Sequence, residues 1–176
     1  MGDYRDFDQM RTNELFVTRH KWFFPYYELT DGQFVYAKLS YKSAFKKYAV
    51  IETAQGMWTI KRKGLLSRTQ LLNQGEDDTI GNLIPATWKR DMDLKMDNGF
   101  EATYLYKSLF AKSITLVSDT LGDVMQITAR PFGIKKPFMV TFDNTLTQNN
   151  TPPLPLLAMI GVNIVLVRQQ HAAAAH

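Results

Sequence analysis

The sequence predicts a mostly β protein: a closed antiparallel barrel of about twelve strands around one hydrophobic C-terminal helix. Three observations lead there. Short segments of alternating polarity, rich in β-branched and aromatic residues, recur along most of the chain. Glycine-based turn signals separate them. Near the C-terminus stands "PPLPLLAMIGVNIVLVRQQ", residues 152–170, the most apolar stretch of an otherwise polar, Tyr- and Lys-rich chain.

The expected strands, in order, are "ELFVTR" (14–19), "YYEL" (26–29), "QFVYAKL" (33–39), "KYAVIE" (47–52), "MWTIKRK" (57–63) and "TQLL" (69–72). They continue with "TIGNLI" (79–84), "DLKM" (93–96), "FEATYLYK" (100–107), "SITLVSD" (113–119), "DVMQITAR" (123–130) and "FMVTFD" (138–143). Asp31-Gly32, Asn98-Gly99 and "SDTLGD" around Gly122 are hairpin signals, because each places Gly where the backbone needs a positive φ. Strand, tight turn, strand is the repeating unit, at the spacing of an antiparallel sandwich or barrel. With 176 residues, 45% of them hydrophobic, the chain fills one core and is short for two, so a single domain is expected over 14–170. Residues 1–13 and 171–176 are expected to be tails.

Residues 156–167 contain one polar side chain, Asn163, whereas a helix crossing a bilayer needs about 20 apolar residues. Prolines 152, 153 and 155 suit an extended approach and a first helical turn, and Arg168 suits a helix C-terminus. They predict a helix over about 155–170, with a strand as the competing reading because "VNIVLV" is β-branched. As a helix it carries Leu156, Leu157, Ile160, Ile164 and Val167 on one side and Met159, Val162 and Leu166 on another. A helix apolar all round must be surrounded, either by lipid or by a barrel wide enough to contain it.

With these elements in place, "ELFVTRHKWFFPYYELTDGQFVYAKL", the "SITLVSDTLGDVMQITAR" hairpin and the core-helix candidate "LLAMIGVNIVLVRQQ" together resemble the tubby C-terminal-like fold. Tubby-like proteins, phospholipid scramblases and LURP-one-related proteins share that fold. The resemblance covers residues 14–170 and is architectural. It implies a barrel closed around the terminal helix, and it implies phosphoinositide binding or membrane action of the kind seen in some branches.

The residue inventory argues against catalysis. Of three histidines, His171 and His176 bracket the terminal "HAAAAH", and their spacing shares no helical face for a metal. His20 lies in "RHKW" and reads as a strand-end residue. No nucleophile elbow and no Gly-rich loop before a helix is present. "DMDLKMDNGFEA" approaches a calcium loop, but counted from Asp91 its fifth, sixth and twelfth positions are Lys95, Met96 and Ala102, which supply no ligand set. A hairpin turn explains it better. "GMW" at 56–58 lies too far along the chain for a lipocalin signature. A non-enzymatic protein with no metal and no cofactor is the expectation.

Charge is more informative. Lys38, Lys42, Lys46, Lys47, Lys61, Arg62, Lys63 and Arg68 face a single acid, Glu52, between residues 38 and 68. Alternation in "MWTIKRK" puts Thr59, Lys61 and Lys63 on one face and Trp58, Ile60 and Arg62 on the other. Lys42, Lys46, Lys47, Lys61, Arg62 and Lys63, interleaved with Tyr41, Phe45 and Tyr48, form the candidate site for an anionic phospholipid headgroup. The plainer reading is a solvated face whose lysines guard an edge strand. The net charge of +4 is too small for a dedicated nucleic-acid binder. Without cysteine or a basic, apolar leader, a cytoplasmic location, peripheral to the membrane, is the default. The leading expectation is thus a tubby-like or LURP-one-related domain that engages anionic phospholipid or a protein partner at the cytoplasmic membrane face. The alternatives are a scramblase-like protein tethered by an inserting C-terminal helix, and a small-ligand barrel.

Overall fold

The computed structural model describes residues 3–43, 48–106, 113–143 and 151–175. Its strands are β1 (Glu14–His20), β2 (Tyr26–Thr30), β3 (Val35–Tyr41), β4 (Tyr48–Thr53), β5 (Gly56–Arg62) and β6 (Gln70–Gln74). β7 (Asp78–Pro85), β8 (Met92–Met96), β9 (Glu101–Leu105), β10 (Ser113–Ser118), β11 (Gly122–Ala129) and β12 (Phe138–Phe142) complete the set, followed by the helix α1 (Leu154–Ala174). Each segment with alternating polarity is a strand, its ends within two residues of the expected ones. α1 is longer than expected: the helix continues through His171 to Ala174, into residues expected to be a tail.

The strands pair antiparallel in chain order, and β12 returns to β1 with Leu15 opposite Val140 and Val17 opposite Phe138. Closure leaves no strand edge exposed. Alternation then sorts the side chains. Leu15 and Val17 of β1, Leu39 of β3, Ile51 of β4, Leu72 of β6, Leu94 of β8 and Leu116 of β10 are all buried on the inside. At Asp31-Gly32 and Asn98-Gly99 the glycines adopt φ of 100° and 87°, as the hairpin signals require.

α1 fills the interior. Every residue from Leu154 to Ile164 is buried, including Leu156, Leu157, Ile160, Asn163 and Ile164. Val167 is only partly buried, because the helix is leaving the barrel there. By length and composition α1 is apolar enough to cross a membrane, but here the barrel surrounds it. Two hydrogen bonds attach it to the wall: the Tyr104 hydroxyl donates to the Leu157 carbonyl (2.7 Å), and the Tyr41 hydroxyl donates to Asn163 Oδ1 (2.9 Å). The carbonyl oxygen of the lone amide in the apolar stretch thereby has its donor. Gly161 marks the closest approach, since a Cβ there would lie 2.3 Å from Ile127 Cδ1 and 3.0 Å from the Tyr104 ring.

The two ends of the barrel differ. At the lower mouth the connections β2–β3, β4–β5, β6–β7, β8–β9 and β10–β11 are tight, of two to four residues. The N-terminal segment, expected to be a tail, seals this mouth. Its short 3-10 helix, Phe7–Gln9, buries Phe7 edge-on against Tyr36 and Phe142, with ring centroids 6.3 and 4.9 Å away. At the upper mouth, where α1 emerges, the connections are longer, of five to eight residues.

Two outcomes test this core. Gly161→Ala forces a methyl into Ile127 and Tyr104, so its urea midpoint should fall by the equivalent of about 1–3 kcal/mol with the m-value unchanged. Burial holds the Tyr104 and Tyr41 hydroxyls well above the ordinary tyrosine value. A raised folded-state pKa stabilises the fold below the unfolded value, near 10, and that stabilisation is lost as pH rises beyond it. Chemical denaturation should therefore show stability declining above about pH 10, and Tyr104→Phe should show a shallower decline from a lower starting stability.

Candidate upper-mouth surface

The long upper connections carry most of the exposed large apolar side chains. Trp22, Phe23 and Phe24 (73–80% exposed) project from β1–β2, Leu65 and Leu66 (95 and 99%) from β5–β6, Trp88 (95%) from β7–β8, and Phe132 and Ile134 (101 and 72%) from β11–β12. Elsewhere among the described residues only Phe34, Ile84 and Leu121 are exposed large apolar side chains, and they are much less so (36–41%). Backbone strain gathers in the same loops. The non-glycine residues with left-handed φ are Lys21 (59°), Phe24 (52°) and Phe132 (64°), and two of them are exposed phenylalanines. That conformation is uncommon for a bulky residue and marks these loops off from the rest of the described backbone.

Cations alternate with these apolar tips. Lys21, Arg62, Lys63, Arg68, Lys89, Arg90, Arg130, Lys135 and Lys136 lie in or beside the same loops, and none forms an ion pair with a described residue. The one carboxylate in the described upper connections, Asp91, is buried and accepts a hydrogen bond from the Tyr106 backbone N–H (3.0 Å). Carboxylates collect at the other end instead: Asp6 and Asp8 in the N-terminal segment, Asp31, Asp97 and Asp119 in the tight turns. The net charge of +4 is thus spread unevenly, cationic at one mouth and acidic at the other.

This frame divides the six candidate phospholipid ligands. Arg62 and Lys63 are exposed at the upper mouth. Lys46 and Lys47 lie outside the described residues. Lys42 and Lys61 are on the outer wall, where the Gly75–Asp77 turn folds back over β5 and brings acids to them. Lys42 pairs with Glu76, and Lys61 Nζ is 3.0 Å from Asp77 Oδ1 and 2.6 Å from the Glu76 carbonyl. Tyr48 joins them, its hydroxyl bonded to Glu76 and its ring 4.8 and 4.6 Å from the two ammonium groups. Glu76, followed by Tyr48, raises the Lys42 pKa. Asp77 raises that of Lys61 despite some loss of solvation, and Glu76 is itself lowered by Lys42 and Tyr48. Trp58 and Ile60, assigned by alternation to the face opposite Lys61, point into the core, while Arg62, on the same register, has already left the barrel.

The remaining motifs are structural. Asp91 and Asp97 stand at opposite ends of β8, so the calcium-like stretch is a strand and its turn. His20 stacks on Tyr26 (4.8 Å) with Nε2 2.8 Å from Glu28. Among the described residues no three His, Asp or Glu side chains come close enough to hold a metal. The apolar tips lie between strands and carry no alternation of polarity, which is why strand periodicity does not reveal them. The signal was "KWFF", "KGLL", "TWKR" and "PFGIKK", each a run of cations and large apolar residues between strands. No protein-family model matches the chain, and no curated protein or solved structure matches it.

The charge pairing is open to lysine footprinting. An amine-reactive ester at neutral pH should label Lys63, Lys89, Lys135 and Lys136 several-fold faster than Lys42 and Lys61, and Glu76→Gln should accelerate Lys42. Equal rates across all six would show that the wall lysines are not held by Glu76 and Asp77.

Proposed function

We propose that this chain is a non-enzymatic domain of the tubby C-terminal-like, LURP-one-related kind that docks on anionic phospholipid at the cytoplasmic membrane face, using its upper mouth. The observation that carries this reading is the convergence of eight exposed apolar side chains and nine cations, none ion-paired to a described residue, on one end of the barrel, with the acidic turns on the other. Trp and Phe side chains are favourable at the headgroup level, and each cation near an anionic leaflet contributes on the order of 1 kcal/mol. The opposed charge at the two mouths turns the molecule cationic end first toward such a surface. Charge complementarity selects a phospholipid leaflet as the occupant: apolar tips evenly interspersed with cations match the boundary between acyl chains and phosphates.

The role of α1 in this reading is that of core. Moving it into lipid would empty the barrel of Leu156, Leu157, Ile160 and Ile164, which favours the core role over tethering through α1. The helix likewise takes the central lumen, so the space for a small ligand beside it lies at the upper mouth, along its last turns.

Flotation with phosphatidylcholine vesicles, with and without phosphatidylserine, tests the proposal. The protein should float with the anionic vesicles at low salt and detach as salt screens the surface. Combined Arg62→Gln, Lys63→Gln, Lys135→Gln and Lys136→Gln substitutions should weaken binding at least tenfold, as should Leu65→Ser with Leu66→Ser and Trp88→Ser. Lys61→Gln, whose charge is already paired, should change little. Failure to float at low salt, or native flotation by the charge variant, would refute the reading.

A further inference from the structure

Beside the last turns of α1, the upper mouth contains a cavity of about 540 Å³, within the range of about 300–1,000 Å³ usual for small-molecule sites. Its walls divide by chemistry. The floor is hydrocarbon: Ile114 from β10, Ile127 from β11, Phe138 from β12 and Val165 from α1. The rim carries four cations, Arg68 from β5–β6, Lys89 and Arg90 from β7–β8, and Arg168 from α1, with His171 of α1 beside them. No Asp or Glu is among the described lining residues. Arg168 connects the two zones. Its guanidinium stacks on the Tyr106 ring, 4.6 Å from the centroid, and its Nη1 is buried with no hydrogen-bond partner. A desolvated guanidinium N–H without an acceptor is unfavourable, and the group that best satisfies its fork is a carboxylate or phosphate.

We propose that this cavity binds a single-chain anionic amphiphile, with its oxyanion head on Arg168 and its alkyl chain along Ile114, Ile127, Phe138 and Val165. Arg68, Lys89 and Arg90 add positive potential at the entrance, and the Tyr106 ring fixes the plane of the guanidinium. The inference rests on the cavity and on the unpartnered Arg168 nitrogen, so it stands apart from the membrane reading. It requires no bilayer. A fatty acid carboxylate and a monoalkyl phosphate share the required chemistry, and their relative affinity tells which head the site prefers.

Isothermal titration of the full chain in vesicle-free buffer, below micellar concentrations, tests it with decanoate, decyl phosphate, inorganic phosphate and octanol. At least one of the decyl probes should bind with one-to-one stoichiometry, at least tenfold more tightly than inorganic phosphate or octanol. Arg168→Gln should weaken that binding tenfold or more, and Val165→Trp, which fills the floor, should remove the advantage of the chain. Lys89→Gln with Arg90→Gln, confined to an exposed loop, gives a second variant should Arg168→Gln fail to fold, and should cost several-fold in affinity with a smaller salt dependence. Absence of binding by both decyl probes, inorganic phosphate binding as tightly as decyl phosphate, or native affinity in the folded charge variants would overturn the proposal. Vesicle flotation of Arg168→Gln separates the two readings. Lost decyl binding with retained flotation is expected, and lost flotation with retained decyl binding would sink the cavity assignment while leaving the surface intact.

Discussion

The structure depends on one constraint: a barrel of twelve strands is too wide for its own side chains to fill, and α1 occupies the space they leave. The helix cannot exist in water with Leu156, Leu157, Met159, Ile160 and Val162 facing every direction, and the sheet cannot close over a void. Each is the solvent of the other. Closure also removes the strand edges, which in an open sheet of this length would be available for pairing with another chain. The hydrophobic effect therefore acts here through a single mutual burial, and the lower mouth, plugged by Phe7, completes it.

With the core settled in this way, the loops are free to diverge, and they do so by end. An up-and-down barrel returns every second connection to the same mouth, so five tight turns fall at the lower end and the long connections fall at the upper end beside α1. Tight turns require Gly, Asn and Asp for backbone reasons, which by itself makes the lower end acidic. The upper connections have no such demand. Their apolar residues and cations are not explained by folding, since Trp88, Leu66 and Phe132 bury almost nothing. Side chains that stabilise neither core nor turn, held on a rigid scaffold, are where binding is usually found.

How much of this was legible in the sequence follows the range of the interactions. Strand positions were readable because alternation is local, and so was α1, because a continuous apolar stretch after three prolines is local too. The state of the lysines was not. Lys42 meets Glu76 across 34 positions of sequence, and Lys61 meets Asp77 only because the turn folds back over Thr59, whose hydroxyl bonds the Gly75 carbonyl at 3.0 Å. A count of charges between residues 38 and 68 could not see either acid. The upper mouth was hidden for a related reason: its apolar tips come from four separate connections, and those of β1–β2 and β11–β12, far apart in sequence, become neighbours only when β12 pairs with β1. The burial of Phe7 was equally opaque, because one phenylalanine among three aspartates carries no periodicity.

A helix that is apolar on every side poses a further problem that burial alone does not solve. Any rotation about its axis buries nearly the same surface, so the hydrophobic effect holds α1 inside the barrel without choosing its angle or height. Three features break that degeneracy. The notch at Gly161 admits only the side of the helix that lacks a Cβ toward Ile127 and Tyr104. The Tyr104 hydroxyl on the Leu157 carbonyl sets the height about one turn below that notch. Tyr41, the last residue of β3, sets the angle at the rim by donating to Asn163. A turned or shifted helix would break the Tyr41 bond to Asn163 and leave the buried Tyr104 hydroxyl without its acceptor on Leu157, the latter at a cost of about 1–3 kcal/mol. Asn163, the only polar residue in the apolar stretch, is thus the element that makes its packing unique. The same lock reaches the surface. Arg168 follows Asn163 by little more than one turn, so the bond that orients the core also decides which wall of the mouth receives the guanidinium, and it places that group on Tyr106 over the cavity floor.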